Sequence, residues 1–382
     1  MIKKNIIGID ASNIRSGGGL THLLELLSES NPIKHRFDEI VIWGSTPTLN
    51  NIEDKPWIIK KNVKQLDGNL FKRSIWQVFH LNKAAINENC TILFAPGGLI
   101  LNRFFPAVSM SQNLLPFEKQ ELMRFFPSII FLRLILLRFL QSFSFKKANG
   151  IIFLSEYAQK KVIKVSNIKG MTAIVAHGIH ERFQMLPKQQ KNISRYNKDK
   201  PYRIIYVSII DEYKHQWHVV EAISKLKEKG IPVVLDLIGP ATKSALKKLN
   251  KKIEKLDPEN SWANYHGSVP FKELHYYYKE ADLGLFASSC ENLPNILIES
   301  MSAGLPIASS NRGPMPEVLK NYGLYFDPED PENIADVVLN LINSPEERER
   351  LSKLSFKESQ TYSWTKCADK TFNFINKVNE QS

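Results

Sequence analysis

Short runs of β-type apolar residues alternate with helical runs along nearly all of this 382-residue chain, and the alternation breaks only once. IIGID (6–10) leads into the helix-like GLTHLLELLSES, and EIVIWGS (39–45), CTILFAPG (90–97), PAVSMSQ (106–112), GIIFLS (150–155) and TAIVAHG (172–178) follow. Near-continuous apolar strands separated by helices imply βα units around a mainly parallel sheet, buried on both faces. At 187–201 the text changes to PKQQKNISRYNKDKP, which is polar, lysine-rich and aperiodic, and reads as a linker. The alternation then restarts with YRIIYVSI, VVLDLIG, ANYHGSV, ADLGLFAS, LPIASS and GLYFDP. The expected fold class is therefore α/β, with two Rossmann-like domains at 1–195 and 196–360 and the helical 361–382 packing back on the first.

Composition narrows the function classes. An apolar fraction of 43% and a charged fraction of 24% are ordinary for globular domains. Lys and Arg number 51 against 39 Asp and Glu, a formal charge of +12. That excess points to an anionic partner such as a phosphate-bearing ligand or an anionic membrane surface, or to a lysine-rich solvated face. Three scattered cysteines, Cys90, Cys290 and Cys367, support neither a disulfide framework nor a zinc site, and fit a reducing cytoplasm. The apolar part of MIKKNIIGID is too short for a signal peptide and reads as a first strand. The most hydrophobic stretch, 124–147, is interrupted by Arg133 and Arg138 and falls short of a membrane span. Two readings of it stay open: a buried core helix, or an interfacial helix with cationic flanks.

Chemistry concentrates in SCENLPNILIE, Ser289 to Glu299. It follows the buried run ADLGLFAS, so it lies at the carboxyl end of a strand, where open α/β sheets bind ligands. Pro294 suits the first turn of a helix, and Gly304 suits its C-terminal cap. Turn N–H groups and the helix dipole there favour an anion such as a diphosphate. Glu291 in the turn and Glu299 on the helix can accept hydrogen bonds from vicinal hydroxyls, as on the two sides of a nucleotide sugar. Spacing alone equally allows one glutamate that complements the dipole and one on a helix surface.

The longer stretch ENLPNILIESMSAGLPIASSNRGPMPEVL resembles the retaining glycosyltransferases of family 4, which have the GT-B fold. Their E-x7-E signature corresponds here to Glu291, Asn292, Leu293, Pro294, Asn295 and Glu299, continued by Ala303-Gly304-Leu305-Pro306 and Pro316-Glu317-Val318. The resemblance covers about 202–345, including GLYFDPEDPENIADVV. It implies that Glu291 contacts donor-sugar hydroxyls and Glu299 the ribose diol, with Leu293, Pro294 and Asn295 near sugar and phosphate. VSIIDEYKHQWHVVEAI resembles the turn where an Arg and a Lys neutralise the diphosphate. Lys214 holds the Lys position, but Ile209 or Ile210 stands where the Arg is expected, so Arg312 or His215 is a candidate replacement.

The first half departs further from the family. Gly17-Gly18-Gly19 after the first strand lets backbone approach a phosphate or sugar, and in the family such a loop, here Gly18 and Gly19, faces the donor. His22 lies on the following helix. Gln112 and Asn113 stand where many members carry His-Asp; these amides can bind a sugar but cannot act as a base. His22, Gln112, Asn113, Glu317 and Arg312 are thus secondary candidates. Ser155 reads as a helix N-cap, Gly178 as a conformational residue, and Tyr276-Tyr277-Tyr278 as helix packing.

The resemblance implies an enzyme that moves a sugar from a UDP- or GDP-sugar to an acceptor hydroxyl with retention, in surface polysaccharide or lipopolysaccharide assembly. It implies no metal, no cofactor beyond the donor, a glycan or lipid-linked acceptor, no nucleic acid, and a cytoplasmic place that extends to the inner membrane face. Two other classes compete. A dinucleotide-dependent oxidoreductase requires GxGxxG with an acid about 20 residues on, which neither half shows. A non-catalytic basic protein for nucleic acid or membrane requires a recognisable module, and none is evident.

Overall fold

The computed structural model describes residues 4–382, so Met1 to Lys3 of the opening MIKKNIIGID run lie outside it. Among the described residues, thirteen strands form two sheets. The first contains β1 (Ile6–Ala11), β2 (Glu39–Gly44), β3 (Ile58–Asn62), β4 (Ile92–Ala95), β5 (Ala107–Met110), β6 (Gly150–Phe153) and β7 (Met171–Ile174), in the order β3-β2-β1-β4-β5-β6-β7. The second contains β8 (Tyr202–Val207), β9 (Val233–Ile238), β10 (Ala263–Tyr265), β11 (Leu283–Phe286), β12 (Ile307–Ser310) and β13 (Leu324–Phe326), in the order β10-β9-β8-β11-β12-β13. Every pairing in both is parallel.

Parallel neighbours need crossover connections, and helices supply them, which covers both faces of each sheet. The central strands β1 and β9 are accordingly buried at every residue. β3 has no counterpart among the sequence expectations. It is a half-buried edge strand that carries Lys60 and Lys61, so its apolar signal is short.

The chain divides into one unit made of the sequence up to Gly178 together with Ser363–Ser382, and a second made of Ile179–Tyr362. The first boundary thus falls at 178/179, where composition suggested 195/196. The polar 187–201 segment is tied to the second unit by specific bonds. The fully buried Arg348 donates to the Lys191 carbonyl and, at 3.0 Å, to Oε1 of Gln190. Tyr196 donates to Asp282 at 3.0 Å. Lysine-rich composition reported the solvated side of this segment and hid its anchors.

The terminal helix Trp364–Glu380 lies in the first unit. Its Asp369 pairs with Lys34 at 2.6 Å, and its Phe374 and Val378 close on Gly150 of β6. The helix Ile129–Lys147 corrects the core reading of 124–147. Only Leu134, Gln141, Ser144 and Phe145 of it are buried, and its other apolar side chains face outward or sit part-way. Among the described residues, no helix is long and apolar enough to cross a membrane.

Candidate functional site

In the second unit β8 and β11 are neighbours, with β9 and β10 to one side and β12 and β13 to the other. Strand order reverses between β8 and β11, and in open α/β sheets the crevice at the carboxyl ends of such a strand pair is where ligands bind. The loops that follow these two strands, 208–215 and 287–294, are held together by polar contacts. The Ser289 N–H donates to the Tyr213 carbonyl at 2.9 Å, and the Ser289 hydroxyl lies 2.9 Å from Nε2 of His215. His215 adopts a left-handed conformation (φ 56°), which turns the chain sharply into the helix Gln216–Glu228. The buried Tyr206 hydroxyl donates to the Lys214 carbonyl at 2.7 Å and fixes that residue's backbone.

Lys214 therefore projects from one loop and Glu291 from the other, and the two form an ion pair. The pair is nearly enclosed, with side chains 8% and 16% exposed. The ammonium also lies 5.0 Å from the Tyr213 ring and 5.7 Å from the Phe286 ring, a setting that favours a cation. Glu291 accepts through Oε1, which leaves Oε2 for a ligand hydroxyl.

Beyond the turn, Asn292 and Leu293 are buried and the helix runs from Asn295 to Ser302. Its N-cap is Pro294, one residue earlier than the expected place of that proline inside the first turn. The proline side chain cannot accept from the first-turn N–H groups, and the Asn295 N–H donates instead to the Leu293 carbonyl at 2.9 Å. The helix ends as expected at Gly304, in the left-handed region (φ 66°), where a Cβ would come 2.6 Å from the Met185 carbonyl.

Glu299 is 5% exposed and accepts from the Tyr278 hydroxyl at 3.1 Å. Burial pushes its carboxyl up to about 8, and the Tyr278 hydrogen bond opposes the shift only in part. The two glutamates thus occupy different environments: Glu291 is paired with a cation, and Glu299 is held by a neutral phenol. Tyr278 is the residue that sequence reasoning missed. On an apolar helix face, a fully buried Tyr reads as packing, and only its hydroxyl partner shows otherwise.

The remaining candidates lie elsewhere in the second unit. Arg312 donates to both carboxylate oxygens of Asp327 at 2.9 Å, so its charge is matched locally. Glu317 is exposed on the helix Met315–Leu319. Ile210 is buried under an Ile210 N–H to Pro240 carbonyl bond of 2.8 Å, and Ile209 is partly exposed. Neither supplies the cation that the resemblance implies at this turn. A cavity of about 480 Å³ lies at the opposite, amino-terminal edge of the sheet, lined by Pro201, Arg203, Ala281 and Asp282 among others. Ligand chemistry in parallel sheets belongs to the other edge, and here Asp282 is already bonded to Tyr196 and to the Arg203 N–H. Among the described residues, no group of three or more His, Cys, Asp or Glu is placed to hold a metal ion.

In the first unit, Gly17–Gly19 open the helix Gly17–Ser28 after β1, and a Cβ on Gly17 or Gly18 would meet nothing within 4 Å. At Gly19 a Cβ would come 3.3 Å from Oε1 of Gln112. Gln112 in turn lies 3.3 Å from Nδ1 of His22, so Gly19, His22 and Gln112 are brought together. Asn113 instead closes a local turn by accepting from the Leu115 N–H at 3.1 Å. His22 stacks on His177 at 4.6 Å, and His177 on Trp364 at 5.5 Å.

Burial holds His22 neutral, down to about 4, and lowers His177 as well, with His22 contributing. The unfolded chain takes up these protons near pH 6.5 while the folded unit does not, so stability falls as pH drops below that point. From His22 alone the first unit is expected to lose about 2 kcal/mol between pH 8 and pH 5. Urea unfolding followed by Trp fluorescence at the two pH values checks this; a His22→Gln variant whose acid loss matched the parent's would contradict it.

Two doubly wound parallel sheets in separate units, the second with an ion-paired crevice at its strand-order reversal, define the GT-B class of fold. Residues 187–358, most of the second unit, match the family model described as "Glycosyl transferases group 1". The O-antigen chain mannosyltransferase B of Escherichia coli is 31% identical over 112 residues, covering 29% of each chain. Among solved structures, a sucrose-phosphate synthase from Thermosynechococcus elongatus superposes with a TM-score of 0.79 at 15% identity, covering 99% of this chain and 100% of that one. Anabaena HepE in complex with UDP-glucose gives a TM-score of 0.66 at 15% identity, covering 99% and 98%. The chain spans between about a quarter and a half of the length of the first curated relatives it matches.

Proposed function

We propose that this protein is a retaining glycosyltransferase that moves a sugar from a nucleotide diphosphate sugar to an acceptor hydroxyl. The observation that carries the reading is the enclosed Lys214–Glu291 pair at the β8/β11 crevice, inside the segment that matches the group 1 family model. Glu291 would take donor-sugar hydroxyls on Oε2. Lys214 and the start of the Asn295–Ser302 helix, with its dipole, would meet the charge that develops on the leaving diphosphate. Such fixed donors stabilise a transition state strongly because they need no reorganisation. Glu299 would accept from the ribose diol. The acceptor oxygen bonds to the anomeric carbon as the bond from that carbon to the diphosphate breaks, and the acceptor proton passes to a diphosphate oxygen. No protein nucleophile, metal or further cofactor is required. Within the first unit, Gly18, Gly19, His22 and Gln112 are proposed to bind sugar hydroxyls or phosphate.

The relatives include an O-antigen mannosyltransferase and an amylovoran biosynthesis glycosyltransferase, and one structural neighbour is a complex with UDP-glucose. These support a UDP- or GDP-sugar donor and a lipid-linked or growing glycan acceptor in surface polysaccharide assembly. The test is a mass-spectrometric assay of a panel of nucleotide sugars with lipid-linked acceptors, with the anomeric proton coupling of any product read by NMR. Transfer with retention, lost in Glu291→Ala, is expected. Inversion, or turnover that survives Glu291→Ala, would refute the assignment.

A further inference from the structure

The helix Ile129–Lys147 turns a line of large apolar side chains outward while its buried face, Leu134, Gln141, Ser144 and Phe145, is half polar. Its inward stripe includes Gln141 and Ser144, both buried. Ser144 accepts from the Ile100 N–H at 3.0 Å and donates to the Leu140 carbonyl at 2.8 Å, which ties this face to the protein. The outward stripe is Ile129, Leu132, Leu136, Phe139 and Phe143, exposed by 84%, 66%, 58%, 69% and 53%. Steps of three and four residues put these five side chains in one line. A helix facing water carries polar residues at such positions, and a contiguous apolar stripe of this kind marks an interaction site. Met123 and Phe126, just before the helix, are exposed as well.

Charge selects the partner. The helix holds four cations, Arg133, Arg138, Lys146 and Lys147, and no acidic residue. Arg133 is exposed beside Leu132, and the Lys147 ammonium lies 4.6 Å from the Phe143 ring. A second copy docked on the same stripe by two-fold symmetry would set cations against cations. A bilayer with anionic headgroups offers apolar depth to the stripe and negative charge to its rim. The stripe from 129 to 143 is about 21 Å long, and Arg133 flanks it, which suits a helix lying in the plane of the interface and not one crossing it.

We propose that this outward face docks the first unit onto an anionic lipid bilayer. The proposal stands on the helix alone and does not depend on the transferase reading. It is tested by co-sedimentation of the full chain with vesicles of phosphatidylcholine, alone and mixed equally with phosphatidylglycerol. Binding to the mixed vesicles is expected, about tenfold weaker on phosphatidylcholine alone and weaker in high salt. Leu136→Ser with Phe139→Ser is expected to weaken it about tenfold or more, and Arg133→Glu to weaken it on anionic vesicles only. Far-UV circular dichroism and turnover of a soluble acceptor should be unchanged in these variants, which separates lost docking from lost folding or catalysis. No binding by the parent chain, or equal binding by the serine variant, overturns the proposal. So does a dimer in light scattering that the serine variant dissolves while vesicles go unbound.

Discussion

Lys214→Met is expected to lower kcat for sugar transfer by about a hundred- to a thousandfold, the range seen when one fixed donor to developing charge is removed. The side chain is held over two aromatic rings and against Glu291, so its contribution requires little rearrangement. The substitution also leaves the Glu291 carboxylate largely enclosed without its cation. Because Glu291 keeps some exposure to water, that loss is expected to reach about 2–3 kcal/mol, somewhat below the range for a fully buried broken pair. Activity and stability can then be separated. Lys214→Met combined with Glu291→Gln removes both charges and should recover most of the lost stability while staying inactive. If the double variant regained turnover along with stability, Lys214 would be only a structural partner. Steady-state kinetics and urea midpoints on the single and double variants make the distinction.

Glu299→Gln is expected to stabilise the second unit and to weaken donor binding. Below about pH 4.5 the Glu299 carboxyl is protonated whether the chain is folded or not. As pH rises toward about 8, the unfolded chain releases this proton while the folded unit keeps it, so the native state loses stability across that window and no further above it. At pH 7 the penalty is about 3 kcal/mol. Glutamine removes the titration and still accepts from Tyr278, so the variant should gain stability of that order at pH 7 and little at pH 4.5. A ribose diol, in contrast, donates two hydrogen bonds best to a carboxylate. Donor binding should therefore expel the proton, and affinity should rise with pH up to about 8 in the parent and not in the variant. Urea unfolding of the parent and variant at several pH values tests the first half, and donor affinity over the same range the second. Equal pH dependence in parent and variant would remove Glu299 from the account.

The second sheet was legible in the sequence because β8, β9 and β11 are compact apolar runs between helical patterns, and the strand-to-turn position of Glu291 followed from the last of them. The Lys214–Glu291 contact was not legible from the residues alone. It joins positions 77 apart and arises because β8 and β11 become neighbours in the sheet order. Tyr278 stayed hidden because a phenol on an apolar helix face looks like packing until its hydroxyl partner is known. Ile129–Lys147 was ambiguous for a related reason: a helix apolar nearly all round carries no period to show which side meets the protein. The His22–His177–Trp364 stack assembles three segments, the last from the terminal helix, and no local pattern announces it.

Isothermal titration of UDP, GDP, ADP and NAD(P) into the parent chain and its Glu299→Ala and Lys214→Met variants tests the central claim most directly. The account predicts that UDP or GDP binds, that Glu299→Ala weakens it about tenfold or more through the lost diol contacts, and that Lys214→Met weakens it through the diphosphate. Binding of NAD(P) in place of the nucleoside diphosphates, or nucleotide binding indifferent to both substitutions, would contradict it.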